Sequence, residues 1–263
     1  MIVAVSTLRS AVRPRAFVGV SGPDAASYLQ RMLSNDVEGL APGGSCDALL
    51  LTAKARVIAP VRVWRRGPDD FLLLTEPELG ERVRAELVRF RLAAKAQIEL
   101  EEHVSRVVFG GGEGIPTSEF GEAAVEVLDV GPVGAEVGAD ALELARILAR
   151  TPRFGREIDD RVMPAEAGLT ETHVDFKKGC YPGQEPVARL HYRGHANRGL
   201  RVLALAEPVD PETEIALDGK AVGRITSVAL SPEHGAVALA YVRVEVPADA
   251  ELDVAGLPAR QLG

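Results

Sequence analysis

The segment Lys178-Gly179-Cys180-Tyr181-Pro182-Gly183-Gln184-Glu185 gathers a thiol, an ammonium, an amide and a carboxylate within eight residues. Cys180 follows Lys177 and Lys178 closely, and a neighbouring ammonium favours a thiolate over a thiol. Gly179 and Gly183 permit close backbone approach, while Pro182 stiffens the turn. Gln184 and Glu185 offer polar atoms to anything held by that loop. These features make Cys180 the candidate reactive atom and Lys178 its candidate activator. The residue types also admit a plainer reading, a tight loop with a small apolar cysteine and solvated charges.

Other candidate chemistry is thinner. Cys46 and Cys180 are the two cysteines, too few for a disulfide framework and without the paired spacing of a zinc or self-contained iron–sulfur site. The sequence leaves a Cys46–Cys180 disulfide open, and the lack of secretory features favours reduced thiols. His191 and His195 have the i, i+4 spacing of helical metal ligands, but Tyr192-Arg193-Gly194 between them is poor helix, so no metal site is assigned. Gly110-Gly111-Gly112-Glu113-Gly114 resembles a phosphate loop in glycine content alone. Arg189, Arg193 and Arg198 form a basic stretch.

The 263 residues allow more than one folding unit, and 46% apolar with 26% charged residues is ordinary globular composition. A net charge of -8 argues against broad nucleic-acid binding, yet leaves room for a local basic cleft suited to a small acidic ligand. The apolar start Met1–Val5 is broken by Ser6, Thr7, Arg9 and Ser10, and no run of about 18 apolar residues follows. A cytoplasmic protein with no membrane partner is expected.

The elements that must position these residues alternate between strand and helix. Phe17–Val20, Leu49–Leu51, Val61–Trp64, Phe71–Leu74, Ile98–Glu101, Val107–Phe109 and Val125–Leu128 read as strands. Ser21-Gly22-Pro23-Asp24 starts a helix carrying Leu29, Met32 and Leu33 on one face. Thr75 and Glu78 have capping-box spacing before a helix expected to run to about Leu92. Asp140 is the expected cap of a helix with Leu144, Ile147 and Leu148. After Gly199 the pattern turns strand-like (201–205, 214–217, 237–241), with Asp218-Gly219 as a hairpin turn. The expected division is a 1–198 region of two α+β subdomains and a small β-barrel at 199–263.

The string Lys-Gly-Cys-Tyr-x-Gly-Gln-Glu, followed by Arg189, resembles the signature of the YgfZ family of folate-binding proteins, which is related to the T-protein (aminomethyltransferase) of the glycine cleavage system. Arg31–Val37 is similar to that family's Leu-Thr-Asn-Asp-Val region, and Val88–Leu92 to its helix end. Pro164–Leu169 looks like the Glu-Ala-Gly-Leu segment shared with T-proteins. The resemblance implies an α+β folate-binding core with a central opening, plus a C-terminal barrel. It also implies tetrahydrofolate or another reduced folate as cofactor. Iron–sulfur client or assembly proteins are the implied partners, and assembly or repair of their clusters is the implied role. Cys180 and Lys178 match the positions tied to that role, and Glu166 matches the carboxylate that binds the pterin. The folate site is then expected to draw on Glu166, Gln184, Glu185 and Arg189. The arginine stretch is either a solvated face or a grip on the acidic tail of folate. One departure stands out. T-proteins carry an acidic pair in the strand matching Arg56–Val61, where this chain has Ala59-Pro60, so the proton-handling role there lacks a bearer. Aminomethyl transfer and a non-catalytic folate scaffold are the competing functions.

Overall fold

The computed structural model describes residues 8–262. Met1–Val5, with Ser6 and Thr7, lies outside the described residues. In chain order the first part forms β1 (Arg9–Val12), β2 (Ala16–Ser21), α1 (Ala25–Met32), β3 (Ser45–Leu51), β4 (Val57–Gly67), β5 (Asp70–Thr75), α2 (Gly80–Phe90) and β6 (Gln97–Glu101). Then come β7 (Ser105–Phe109), β8 (Ile115–Thr117), β9 (Ala124–Leu128), β10 (Ala135–Glu136), α3 (Ala139–Leu148), α4 (Thr170–His173) and α5 (Gln184–Arg193). The rest is β11 (Arg198–Leu205), β12 (Glu214–Leu217), β13 (Lys220–Ser231), β14 (Gly235–Arg243), β15 (Leu252–Val254) and β16 (Leu257–Leu262).

One five-stranded sheet has the order β10-β1-β7-β9-β8 and the other β3-β4-β5-β2-β6. The second sheet is therefore inserted between β1 and β7 of the first. The last six strands close into a barrel in the order β11-β14-β13-β12-β15-β16, so the α+β expectation with a C-terminal barrel holds. Among the described residues no helix is long and apolar enough to cross a membrane.

The unbroken run Phe71-Leu72-Leu73-Leu74 shows why the two sheets face each other. Phe71 and Leu73 pack with Leu29, Val83 and Leu87 on the helix side. Leu72 and Leu74 pack with Phe17 and Ile115, on the side of the first sheet. A central strand covered on both faces has no polar alternation to show. In the barrel, Asp218 and Gly219 take φ values of 51° and 73°, the paired left-handed conformation that a two-residue hairpin turn requires.

Two local expectations fail, the capping roles of Thr75 and Asp140, the first because a tertiary partner overrides the local signal. Thr75 ends β5 instead of capping a helix, and its hydroxyl donates to the Pro60 carbonyl across the sheet (2.8 Å). The helix after it starts at Gly80 and stops at Phe90, short of Leu92, which adopts a left-handed φ of 43°. Asp140 lies in the first turn of α3, with Gly138 at the cap position.

Candidate functional site

The loop between α4 and α5 carries Cys180. Its first turn is set by Asp175, whose Oδ1 accepts the backbone N–H groups of Lys177 (2.6 Å) and Lys178 (3.2 Å). Asp175 thus acts as an Asx turn. At the other end Gly183 enters α5 with φ 82°, and a Cβ there would lie 2.6 Å from the Thr52 carbonyl, so glycine alone fits. Gln184 and Glu185 form the first turn of α5, where an acidic side chain complements the helix dipole. Contrary to expectation, α5 continues through Tyr192 and Arg193. Stacking compensates for their weak propensity: the Phe176 and His191 rings lie 4.0 Å apart at 19°, with Tyr192 edge-on. His191 is thereby engaged in the stack, and His195 falls beyond the helix end at Gly194.

Lys178 points inward. Its ammonium donates to the carbonyls of Gln30 (2.6 Å), Asn35 (2.9 Å) and Leu33, which end α1 and begin the following segment. A lysine complements the orphan carbonyls of a helix C-terminus. All three ammonium donors are taken, which leaves none for a thiolate at Cys180. Desolvation pushes Lys178 down to about 8 despite the nearby Asp36 carboxylate. Tyr181 is buried beneath it, the ammonium 5.3 Å from the ring centroid.

Cys180 itself is exposed and both thiols are free. Cys46 is half-buried in β3 with its thiol directed at the Asp36 carbonyl (3.9 Å). Burial, reinforced by the adjacent Asp47 charge, pushes the Cys46 thiol up to about 12.

Ser34 and Asn35 tie the stretch before this loop to β3. The Ser34 hydroxyl donates to the His173 carbonyl (2.6 Å) and accepts from the Leu49 N–H (2.8 Å). The Asn35 amide donates to the carbonyls of Asp47 (2.7 Å) and Thr172 (3.3 Å), and the Asp175 N–H bonds the Ser34 carbonyl (3.0 Å). One clamped arm therefore runs from a central cavity, which it lines at Gly168, Leu169, Thr172 and His173, to the cysteine loop.

That cavity has a volume of about 240 Å³ and is bounded by both sheets and by the C-terminal end of α3. Pro60, Val61, Leu74, Ile158 and Leu169 supply apolar wall. The charged wall is an ion lattice. Glu119 pairs with Arg13 (3.3 Å), Arg62 (3.4 Å) and Arg15, and the Arg62 fork also holds Asp47 (2.8 Å). Behind them, fully buried Glu126 pairs with Arg15 (2.9 Å) and Arg62 (3.4 Å), while Arg13 grips Glu76 (2.7 Å). Burial alone would raise the Glu119 carboxyl, but the guanidiniums of Arg15, Arg13 and Arg62 hold it well below the usual carboxylate range. Glu126 is held down in the same way, chiefly by Arg15 against its own burial. These carboxylates stay ionised at any physiological pH, so they act as fixed charge. Half-buried His173 is pushed below its ordinary value by desolvation and stays neutral at pH 7.

Glu166, Gln184, Glu185 and Arg189 lie outside the cavity wall. The Glu166 carboxylate faces its own loop and the barrel, accepting from the Met163 N–H (2.9 Å) and from Arg198 Nε (3.0 Å). Arg198 in turn lies over the Tyr241 ring at 4.5 Å. On α5, Gln184 is half-buried and Glu185 and Arg189 face solvent, because Val187 is the side chain that this helix buries. Sequence reasoning missed Arg13, Arg15, Asp47, Arg62, Glu76 and Glu119. The available signal was a charge inside a strand, as in Val61-Arg62-Val63 and Val125-Glu126-Val127.

No family model matches the chain. The fold is that of a glycine cleavage system aminomethyltransferase: the crystal structure of the Bartonella henselae enzyme matches with a TM-score of 0.85 over 98% of this chain and 85% of that one, at 18% identity. A mitochondrial iron–sulfur cluster assembly factor IBA57 homolog of Pyricularia oryzae is 27% identical over 96% of this chain and 75% of its own length. The tRNA-modifying protein YgfZ of Vibrio vulnificus is 26% identical over 76% of this chain and 71% of its own. The chain is thus a relative of the YgfZ and IBA57 proteins, a group related to the aminomethyltransferase of glycine cleavage.

Proposed function

We propose that this chain is a folate-binding factor that assists assembly or repair of iron–sulfur clusters in client proteins, with Cys180 as its working thiol. The observation that carries the reading is the clamped arm, which joins the cavity wall at Leu169 and His173 to an exposed cysteine. A reduced folate suits the cavity's chemistry. Apolar faces from Pro60, Val61, Leu74 and Leu169 accept a flat ring, and a wall of guanidiniums and carboxylates offers both donors and acceptors to its polar edge. The volume of about 240 Å³ is below the roughly 300–1,000 Å³ of pockets that enclose a drug-sized ligand. The cavity therefore takes one end of the molecule and leaves the rest in the mouth. Glu166, which the family resemblance assigns to the pterin, would have to exchange Arg198 for the ligand.

Cys180 supplies a single sulfur ligand, so a cluster in transit would take its remaining ligands from a partner. An assembly role and a tRNA-modifying role, the two functions named for the relatives, become one if a cluster-dependent tRNA-modifying enzyme is among the clients. Aminomethyl transfer gains nothing here, because Pro60 lines the cavity where T-proteins carry acid, and Asp47, Glu76 and Glu119 are each committed to guanidiniums.

The test is complementation of a strain lacking its own homologue, reading cluster-dependent enzyme activities and modified tRNA nucleosides. Wild type restores both and Cys180→Ser restores neither. Full restoration by Cys180→Ser would remove the thiol from the mechanism and leave a scaffold.

A further inference from the structure

The helix that follows Cys180 is barely covered. Among the residues of α5, Val187 alone is buried. Arg189, Tyr192 and Arg193 have the i, i+3, i+4 spacing that places them on one helix face, and all three are exposed, Tyr192 at 67%. The Tyr192 ring is held edge-on by Phe176 (5.7 Å) and His191 (4.8 Å), so an aromatic surface stands in solvent in a fixed orientation. Exposed, rigid aromatic side chains beside arginine are the residue types that anchor protein interfaces.

Charge on this surface runs opposite to that of the chain. Lys177 in the cysteine loop, Arg189 and Arg193 on α5, and Lys54 in the turn between β3 and β4 are all exposed. That turn abuts the entry to α5, since a Cβ on Gly183 would lie 3.0 Å from the Ala55 Cα. Among the described residues none of these four cations forms an ion pair, whereas Arg198, further along, is held by Glu166 (3.0 Å). Asp175 is taken up by its own turn, which leaves Glu171 on α4 and Glu185 on α5 as the exposed carboxylates here. A positive excess therefore surrounds the exposed thiol in a chain of net charge -8.

We infer that the exposed face of α5, with the loop around Cys180, is a docking surface for the acidic face of a cluster-carrying partner protein. The inference rests on reading Cys180 as the working thiol, and it names the chemistry of the partner that thiol meets. A cluster held by thiolates is anionic, and a partner presenting one among acidic side chains is drawn to this patch and turned towards the thiol. Complementary charge acts on encounter and register, while Tyr192 supplies contact area once the faces meet. A nucleic acid is the less favoured occupant, because it needs many phosphate-neutralising cations and a ten-residue helix offers a face of only about 15 Å.

The test replaces Arg189 and Arg193 together, by glutamate in one variant and by glutamine in another. The probes are short peptides whose one cysteine is a thiopyridyl disulfide, flanked by Glu, Gln or Lys. The Cys180 thiolate attacks the peptide sulfur, forms a mixed disulfide and expels thiopyridone, which is read by absorbance. Taking the ratio of the acidic to the neutral rate removes any change in thiolate fraction. Arg189→Glu with Arg193→Glu lowers that ratio about 10-fold, the glutamine variant lowers it about 3-fold, and both effects shrink at about 0.5 M salt. An unchanged ratio overturns the proposal. The second readout is cluster-dependent enzyme activity in the strain lacking its own homologue. The glutamate variant restores none and the glutamine variant part, while Tm stays within about 2 °C and tetrahydrofolate affinity within about 2-fold of wild type. Full restoration by the glutamate variant, where Cys180→Ser restores nothing, overturns the docking surface and leaves the thiol reading intact. Full restoration by Cys180→Ser removes the thiol reading and this surface with it. Loss of tetrahydrofolate affinity would assign the arginines to the ligand, loss of tRNA binding in a gel shift to nucleic acid, and loss of self-association in ultracentrifugation to a second copy. Each of these overturns the proposal.

Discussion

The cavity wall and the cysteine loop use charge in opposite ways. In the wall, Arg13, Arg15 and Arg62 converge on Glu119 and Glu126, both held ionised well below the usual range, so the lattice keeps its charge state across physiological pH. In the loop, the Lys178 ammonium is spent on three carbonyls at the end of α1, and the thiol beside it is left to solvent. The difference separates two tasks. A matched lattice costs desolvation and repays it in fixed geometry, which suits holding a ligand. An exposed thiol on a clamped loop gives up burial to stay reachable, which suits exchange with a partner.

The sharpest way to break this comparison is to substitute one residue in each region. Glu119→Gln leaves three buried guanidiniums short of a partner and is expected to destabilise the fold by about 3–5 kcal/mol in denaturant unfolding. Cys180→Ser should stay within about 0.5 kcal/mol of wild type. Equal losses would mean that the loop cysteine is a packing residue. The two thiols give the next contrast. In the folded protein an alkylating agent should label Cys180 readily and Cys46 at least roughly 100-fold more slowly, because burial holds Cys46 in the thiol form. Mass spectrometry of partly labelled protein measures both, and comparable rates would place Cys46 in solvent.

Lys178 sharpens the comparison further. Lys178→Met removes charge-assisted bonds to three carbonyls and should cost about 1.5–3 kcal/mol, with faster proteolysis of the Asp175–Gly183 loop. Unchanged stability would show that the clamp is dispensable. The smallest effect concerns the joint between the sheets, where His103 bridges Asp129 (2.7 Å) and Glu101 (3.0 Å). Burial would lower His103, but its bonds to Glu101 and Asp129 win and raise it. A folded value above the unfolded one means that the stabilisation is complete below about pH 6.5. It is then lost as pH rises through the raised folded value. Its size is that of a surface pair, below about 1 kcal/mol. Chemical denaturation across pH 5.5–8.5 should show wild type losing more stability than His103→Gln, and parallel profiles would put the pH dependence elsewhere.

Much of the fold was legible where the signal is local. Phe17–Val20, Phe71–Leu74 and the Asp218-Gly219 turn carry apolar runs or a positive-φ pair within a few residues, and each is found where expected. The helix at Gln184–Arg193 was not legible, since its His191-Tyr192 end is held by stacking on Phe176 from the preceding loop. Thr75 likewise looked like a cap until a neighbouring strand offered the Pro60 carbonyl.

What the sequence determined by itself was the chemistry present: a thiol in a loop bearing Gly179 and Gly183, a resemblance that extends over most of the chain, and the alternation that builds two sheets and a barrel. Where the charges act was decided only in three dimensions. Arg15 meets Glu119 across 104 residues, and Lys178 meets the Gln30 carbonyl across 148. Arg62 and Glu126 occupy strand positions that alternate with apolar residues, as a solvent-facing charge would. They instead meet each other at 3.4 Å beside the cavity, because the second sheet is inserted between strands of the first. A strand's pattern says which side chains share a face, while the packing of the sheets decides whether that face meets water or a ligand.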